Sequence, residues 1–311
     1  MTAIGVISNG RSRKNKKHPE RVNELKYILG NNGVVRETKT IEELYKAAAE
    51  FKELDIEILC INGGDGTNHV TLTAFIEVYG DKPLPKIAIL RAGTMNTVAT
   101  SLKIYGKSSD ILLNIIKKYN SGEPFLITKR NLLKINNDKY GFIFGNGAIY
   151  NFLKIYYRDE DRSSVTAAML LAKTVLKGSV NKKDPLFKKI IVEVEEEGDV
   201  IWRYHNFLTI GAMTVREIGL GFVAAPRALE NPKKFHLFAV KTGAMGIIRS
   251  LPRMFFLRKG LLKNVIEDKV LDKVTIRSLK EPLPYTIDGD MHSPVQSLTI
   301  ELGPRLDLII K

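Results

Sequence analysis

The apolar run at 56–61 breaks into Gly63, Gly64, Asp65, Gly66 and Thr67, and helical character resumes at Asn68. No other stretch constrains the fold as much. A strand that dissolves into glycines before a helix leaves bare backbone N–H groups at the positive end of a helix dipole, where they can approach an anion closely. This is the pattern of a nucleotide phosphate cradle. Asp65 is the odd group in it: polyphosphate repels a carboxylate unless a divalent cation or a transferable proton lies between them, which points to phosphoryl transfer rather than passive binding. A tight turn is the plain alternative, because glycine and aspartate are common turn residues.

A second stretch repeats the arrangement. The short apolar run 86–90 ends in Arg91, Ala92, Gly93, Thr94, Met95 and Asn96, and a helical pattern follows. Ligands of open α/β sheets sit at the carboxyl ends of strands, so the two glycine loops are expected to be neighbours. Strand and helix patterns alternate up to residue 119: strands at 4–7, 33–37, 56–61 and 86–90, and helices at 19–29, 41–51, 68–78, from 96, and at 109–119. That rhythm predicts an α/β doubly wound parallel sheet.

Around Gly122, Glu123 and Pro124 the rhythm stops. Strand-like runs then follow in quick succession, at 125–135, 140–145, 187–197, 200–210, 235–240, 273–278, 297–302 and 306–310. Together they predict an antiparallel β-sandwich, with helical insertions at about 150–178 and 242–262. The expected division is a nucleotide-binding domain over 1–124 and a sandwich over 125–302, with 303–311 returning to complete the first domain.

Forty-eight Lys and Arg against 34 Asp and Glu give a net charge of +14, which favours anionic partners without choosing among them. Tyr156, Tyr157 and Trp202 are too scattered among the basic residues to make a base-stacking face, which argues against nucleic acid. The one cysteine, Cys60, excludes an intrachain disulfide and reads as a core residue in a reducing, cytoplasmic setting. The N-terminus has no basic, cleavable leader, and the apolar stretch 165–176 is interrupted by Lys173 and falls short of a span. Contact with lipid is therefore expected to be peripheral.

Four elements in order resemble the diacylglycerol kinase catalytic family, which includes bacterial lipid kinases and the sphingosine and ceramide kinases. They are the first strand with its Asn turn (6–10), the GGDGT run (63–67), the GTxN loop (93–96) and Asp288-Gly289-Asp290 in place of a DGE element. The resemblance implies an ATP-dependent lipid kinase that uses Mg2+ and transfers the γ-phosphoryl group to a lipid hydroxyl. Asn9, Arg13, Lys14, Gly63, Gly64, Gly66, Thr67, Gly93, Thr94 and Asn96 would then bind nucleotide. Asp290 would be the base, one methylene shorter than the family's Glu, and Asp65 would be catalytic through the metal-bound phosphates, with Asp288 a further candidate near the metal. Departures are Thr97 where an acid is common, Asn131 at another acidic position, Val70 for a Glu, and a 229–235 stretch without the Asp-Gly that holds a structural metal in some members.

A NAD kinase shares GGDGT and is the first rival reading; a catalytically inactive nucleotide-binding protein is the second. Residues 242–264 interleave bulky apolar residues with Arg249, Arg253, Arg258, Lys259 and Lys263, which suits an interfacial helix on an anionic membrane surface. Packing of its apolar face on the sandwich is the competing expectation.

Overall fold

The computed structural model of the chain describes residues 3–158 and 185–310, with 163, 166, 167, 169, 170 and 173 between them. The chain divides into two compact units, Met1–Arg130 with Arg305–Lys311, and Asn131–Pro304.

Parallel strands need crossovers, and helices supply them in the first unit. The order is β1 (Ile4–Asn9), α1 (Arg13–Lys17), α2 (Arg21–Leu29), β2 (Gly33–Thr38), α3 (Ile41–Glu53), β3 (Ile58–Asn62), α4 (Asp65–Tyr79), β4 (Lys86–Ile89), α5 (Thr97–Ser101) and α6 (Ser108–Ser121). The strands pair in the order β2-β1-β3-β4, all parallel, with Ile4 opposite both Gly33 and Ile58, and Ile58 opposite Lys86. Strand residues of one parity (Ile4, Val6, Ile58, Cys60, Ala88) are buried with Leu25 and Leu29 of α2 and Leu112, Ile115 and Ile116 of α6. The opposite parity faces α3: a Cβ on Gly5 would lie 2.6 Å from the Phe51 ring. Phe51 and Phe75 then join α3 to α4, with ring centroids 6.1 Å apart. Helices therefore cover both faces, as a doubly wound sheet requires. Cys60 is fully buried and its thiol is pushed up to about 12, consistent with a packing role.

The second unit is antiparallel. Its elements are β5 (Ile127–Ile135), β6 (Lys139–Gly141), β7 (Ile143–Asn146), α7 (Ala148–Tyr156), β8 (Ile190–Glu196), β9 (Asp199–Phe207), β10 (Thr209–Met213), β11 (Glu217–Ile218), β12 (Phe222–Val223), β13 (Phe235–Val240), α8 (Ala244–Phe255), β14 (Ile266–Leu271), β15 (Lys273–Ser278), β16 (Leu283–Ile287), β17 (Asp290–Val295) and β18 (Ser297–Ile309). One sheet runs β14-β13-β10-β7-β16-β17; facing it, β18-β15-β8-β9 pair in order, and β5 joins β18. Val192, Val194, Val274, Ile276, Leu298 and Ile300 from the latter meet Phe144, Ile210, Phe235, Leu237, Tyr285 and Ile287 from the former in one core. This is a β-sandwich.

Some elements depart from expectation. The basic loop after β1 contains the short helix α1, and the runs at 297–302 and 306–310 are one strand, β18, whose Leu308 pairs in parallel with Ile87. Strands β14, β16 and β17 were hidden by charge or proline in their sequences, as in Leu283-Pro284-Tyr285. Helix α4 begins at Asp65 rather than Asn68. The insertion expected at 150–178 is helical through Tyr156; most of the 165–176 stretch lies outside the described residues.

Candidate functional site

Asparagines close the carboxyl ends of β1 and β3. Asn9 Nδ2 donates to Thr67 Oγ1 at 2.9 Å, tying the first strand to the opening turn of α4, while Asn9 Oδ1 accepts from the Arg11 amide at 2.8 Å. Beneath them Asn15 Nδ2 donates to the carbonyls of Asn9 (2.9 Å) and Asn62 (3.1 Å), and Asn62 Nδ2 donates to Ser8 Oγ (2.9 Å). Buried polar groups need such partners, so this network fixes where the two strand ends lie. Ser12 Oγ and Asn62 Oδ1 are buried with no hydrogen-bond partner among the described residues.

The two glycine turns touch. A Cβ on Gly93 would lie 2.3 Å from the Gly64 Cα, and one on Gly64 would lie 3.1 Å from the Gly93 Cα, so backbone packs on backbone. Gly63 is required for another reason: a Cβ there would lie 2.3 Å from the Thr67 Cβ. The helix begun at Asp65 leaves its first amides without helical acceptors beside this junction. Asp65 locks the turns together, accepting from the Thr97 amide at 2.8 Å and the Val98 amide at 3.0 Å. It thereby supplies the N-terminal cap of α5 from a different loop. Burial pushes the Asp65 carboxyl above its ordinary range, opposed by those two amides and the Thr97 side chain. Thr97 therefore has a reason to be there: an acid at 97 would face Asp65, whereas threonine donates to it.

Two expected contacts are corrected by this geometry. The Gly93 amide donates to Asn96 Oδ1 at 3.0 Å, and Asn96 Nδ2 returns a bond to the Gly93 carbonyl at 2.9 Å. Both groups hold the second turn in shape, with Asn96 in the left-handed region at φ 48°, instead of pointing free donors at a ligand. Among the cations, Lys14 Nζ lies 3.3 Å from the Arg91 carbonyl. Burial first, then the charges of Arg91 and Arg21, lower the Lys14 ammonium below its ordinary value, a local excess of positive charge that an anion would relieve. Arg13 sits at the start of α1, and Thr94 is half-buried in the second turn.

In the second unit, Asp288 and Gly289 are the two central residues of the β16–β17 hairpin, with φ of 47° and 88° and Ile287 opposite Asp290. Two successive positive φ values in a two-residue loop make a type I′ turn, for which Asp-Gly is a favoured pair. Asp288 is 3% exposed; its Oδ1 accepts from the amides of Phe142 (3.0 Å) and Ile143 (2.8 Å), and its Oδ2 also lies 3.1 Å from the Phe142 amide. Tyr157 Oη donates to the Gly289 carbonyl at 2.8 Å, clamping the turn from α7's end. Asp290 differs. It is half-buried, and its carboxyl makes no hydrogen bond or ion pair among the described residues. Burial raises it above the ordinary carboxylate range, against the pull of His292.

Asp288 does not fit a metal ligand, since its oxygens already serve backbone amides. Among the described residues no group of three or more His, Cys, Asp or Glu could hold a metal ion. Asp65 likewise spends an oxygen on each of the Thr97 and Val98 amides, so a magnesium ion carried by nucleotide, whose shell phosphate and water largely fill, would meet it through bound water. Near 229–235, Arg227 donates to Glu230 (2.7 Å) and Asp268 (2.8 Å), placing a guanidinium between two acids. Asn131 Nδ2 bonds the Gly303 carbonyl at 3.3 Å. Ser12, Asn15, Asn62 and Tyr157 were missed in the sequence. Only the Asn62-Gly63-Gly64 string hinted at any of them, because isolated polar residues carry no periodic signal.

A glycine-turn α/β unit of this kind is what one family model describes: residues 3–122 match the model of the diacylglycerol kinase catalytic domain. The chain is 32% identical over 107 residues to "Probable lipid kinase YegS" of Escherichia fergusonii, an alignment that spans 33% of this chain and 34%, about a third, of that protein's length. A solved structure of a diacylglycerol kinase from Bacillus anthracis str. Sterne superposes with a TM-score of 0.66 at 17% identity, covering 99% of this chain and 97% of that one. A second structure from the same strain gives 0.72 at 18% identity with the same coverage. At such identities the likeness establishes the fold: an α/β unit followed by an antiparallel sandwich.

Proposed function

We propose that the protein is an ATP-dependent lipid kinase that transfers the γ-phosphoryl group to the hydroxyl of a lipid such as diacylglycerol or a sphingoid or ceramide-type lipid. The observation that carries this reading is the contact of Gly64 with Gly93, held by Asp65 across the two turns. Side-chain-free backbone at adjacent strand ends, next to unhelical amides of α4 and crowded cations at Lys14, suits a triphosphate. Asn9, Thr67, the Gly63–Gly66 backbone, Thr94, Arg13 and Lys14 would hold it, and the orphaned Ser12 Oγ is a further donor. Gly93 and Asn96 contribute by shaping the second turn.

Phosphoryl transfer asks for positioned phosphates, neutralised charge and a base for the attacking alcohol. Magnesium bound with the nucleotide would supply the neutralisation, with Asp65, in the first glycine turn, as the acid that would serve its hydrated shell. Asp290 is the proposed base, because its oxygens are uncommitted while Asp288's are not. It would take the proton of the lipid hydroxyl directly or through one water, its side chain being short. The alcohol lies in a greasy molecule, so the enzyme would meet its substrate at an anionic membrane surface. No helix of the described residues is long and apolar enough to cross a membrane.

Incubation of the protein with γ-labelled ATP, magnesium, a lipid panel and NAD, followed by product separation, tests the reading. Label in a lipid is the expected result; label in NAD alone would overturn it.

A further inference from the structure

Residues 242–264 were expected to present a helical face. Helix α8 leaves Met245 44% exposed near its start, but the most exposed apolar residues lie at its C-terminal tip. Ala244, Ser250 and Met254 turn inward, whereas Phe256 is 77% and Leu257 61% exposed, beyond any other large apolar residue described in this unit. Phe255, at 45%, lies between Phe256 and the β11–β12 pair, its ring centroid 5.3 Å from that of Phe222 at a tilt and 5.1 Å from that of Phe256 edge-on.

The exposed tip is held rigidly. Ser250 Oγ receives the Leu262 amide at 3.2 Å and donates to the Gly246 carbonyl at 2.8 Å. Arg253 Nε donates to the Gly260 carbonyl at 3.1 Å. Arg258 is fastened to Glu217 and to the Gly221 carbonyl, and its own carbonyl receives Arg216 at 3.2 Å. Gly260 permits this return: a Cβ there would lie 2.7 Å from Pro226. Free-standing aromatic and leucine side chains on a braced turn are costly in water, so an apolar medium is the natural counterpart.

Charge identifies that medium. Residues 242–264 contain five cations and no acid. Arg258 is paired, but Arg249, Lys259 and Lys263 are exposed and make no ion pair among the described residues. Arg249, Arg253 and Phe256 fall on one side by their i, i+4, i+7 spacing, and Lys259 follows the tip directly. A protein partner would match these cations with acids, and a nucleic acid would leave the apolar tip wet. A bilayer with anionic headgroups over hydrocarbon satisfies both features at once.

We propose that the tip at 255–259 docks on an anionic lipid bilayer, with Phe256 and Leu257 entering the acyl boundary and Arg249, Lys259 and Lys263 contacting headgroups. The proposal rests on the lipid-kinase reading for its purpose, but vesicle binding needs neither nucleotide nor turnover, so the two can fail separately.

The test is co-sedimentation of the whole chain with phosphatidylcholine vesicles, with and without phosphatidylglycerol. Binding to the phosphatidylglycerol vesicles only is expected, and Phe256→Ser with Leu257→Ser should weaken it about tenfold or more. Arg249→Ser with Lys259→Ser should weaken it as salt does, and Phe256→Trp should retain it. Transfer to detergent-dispersed lipid should be unchanged by the tip variants. Undiminished vesicle binding by the Phe256→Ser, Leu257→Ser variant, or a dimer in solution that this variant dissociates, would overturn the assignment.

Discussion

Two aspartates on either side of Gly289 behave in opposite ways. Asp288 is buried and gives its carboxylate to the backbone of β7, whereas Asp290, after one glycine, keeps its oxygens uncommitted. Asp65 in the first unit resembles Asp288: it too accepts from two consecutive amides, those of Thr97 and Val98. Carboxylates in a glycine-rich turn therefore divide into those that build the turn and those the turn displays. The displayed one is the candidate for proton transfer; the builders are candidates for stability.

Removing a builder should have the largest effect. Asp65→Ala strands two amides that had an ionised acceptor, and we expect about 3 kcal/mol of lost stability together with loss of transfer. Thermal melts beside activity measure this; an unchanged melting temperature would break the parallel between Asp65 and Asp288. Gly93→Ala comes next. Its Cβ meets the Gly64 Cα, an overpacking worth about 1–3 kcal/mol, which should appear as roughly tenfold or more weaker ATP binding by calorimetry.

A smaller effect concerns pH. A base works ionised, and burial holds Asp290 above the ordinary carboxylate range, so turnover should begin to fall at a higher pH on acidification than an exposed aspartate would dictate. A kcat/KM profile that stays flat into the range of ordinary carboxylates would exclude Asp290 as the base. Tyr157→Phe should be mildest, costing about 1 kcal/mol through the lost bond to Gly289 and lowering kcat with little change in KM for ATP.

Much of this architecture was legible in the sequence because it is periodic or punctuated. The βα alternation up to 119 and the strands at 235–240 and 273–278 follow from burial patterns, and Gly63-Gly64-Asp65-Gly66 marks a turn by composition alone. The β16–β17 hairpin was readable at its Asp-Gly loop yet not in its strands, where Pro284 and Pro294 mask the alternation. What stayed hidden is long-range. Nothing near Asp65 announces that its acceptors serve Thr97 and Val98, and nothing near Asp288 points to Phe142 and Ile143. Two aspartates of the same type, in similar local strings, differ only in which distant amides reach them.

The most direct test compares Asp288→Asn with Asp290→Asn, following labelled phosphoryl transfer from ATP to lipid and the melting temperature of each. We expect Asp290→Asn to lose transfer by about a thousandfold while melting and binding ATP like the parent chain. Asp288→Asn should melt earlier, by about 2 kcal/mol of stability, yet transfer normally per folded molecule. Full turnover by Asp290→Asn, or selective loss of transfer by a stable Asp288→Asn, would contradict the division between the acid that builds the turn and the acid it displays.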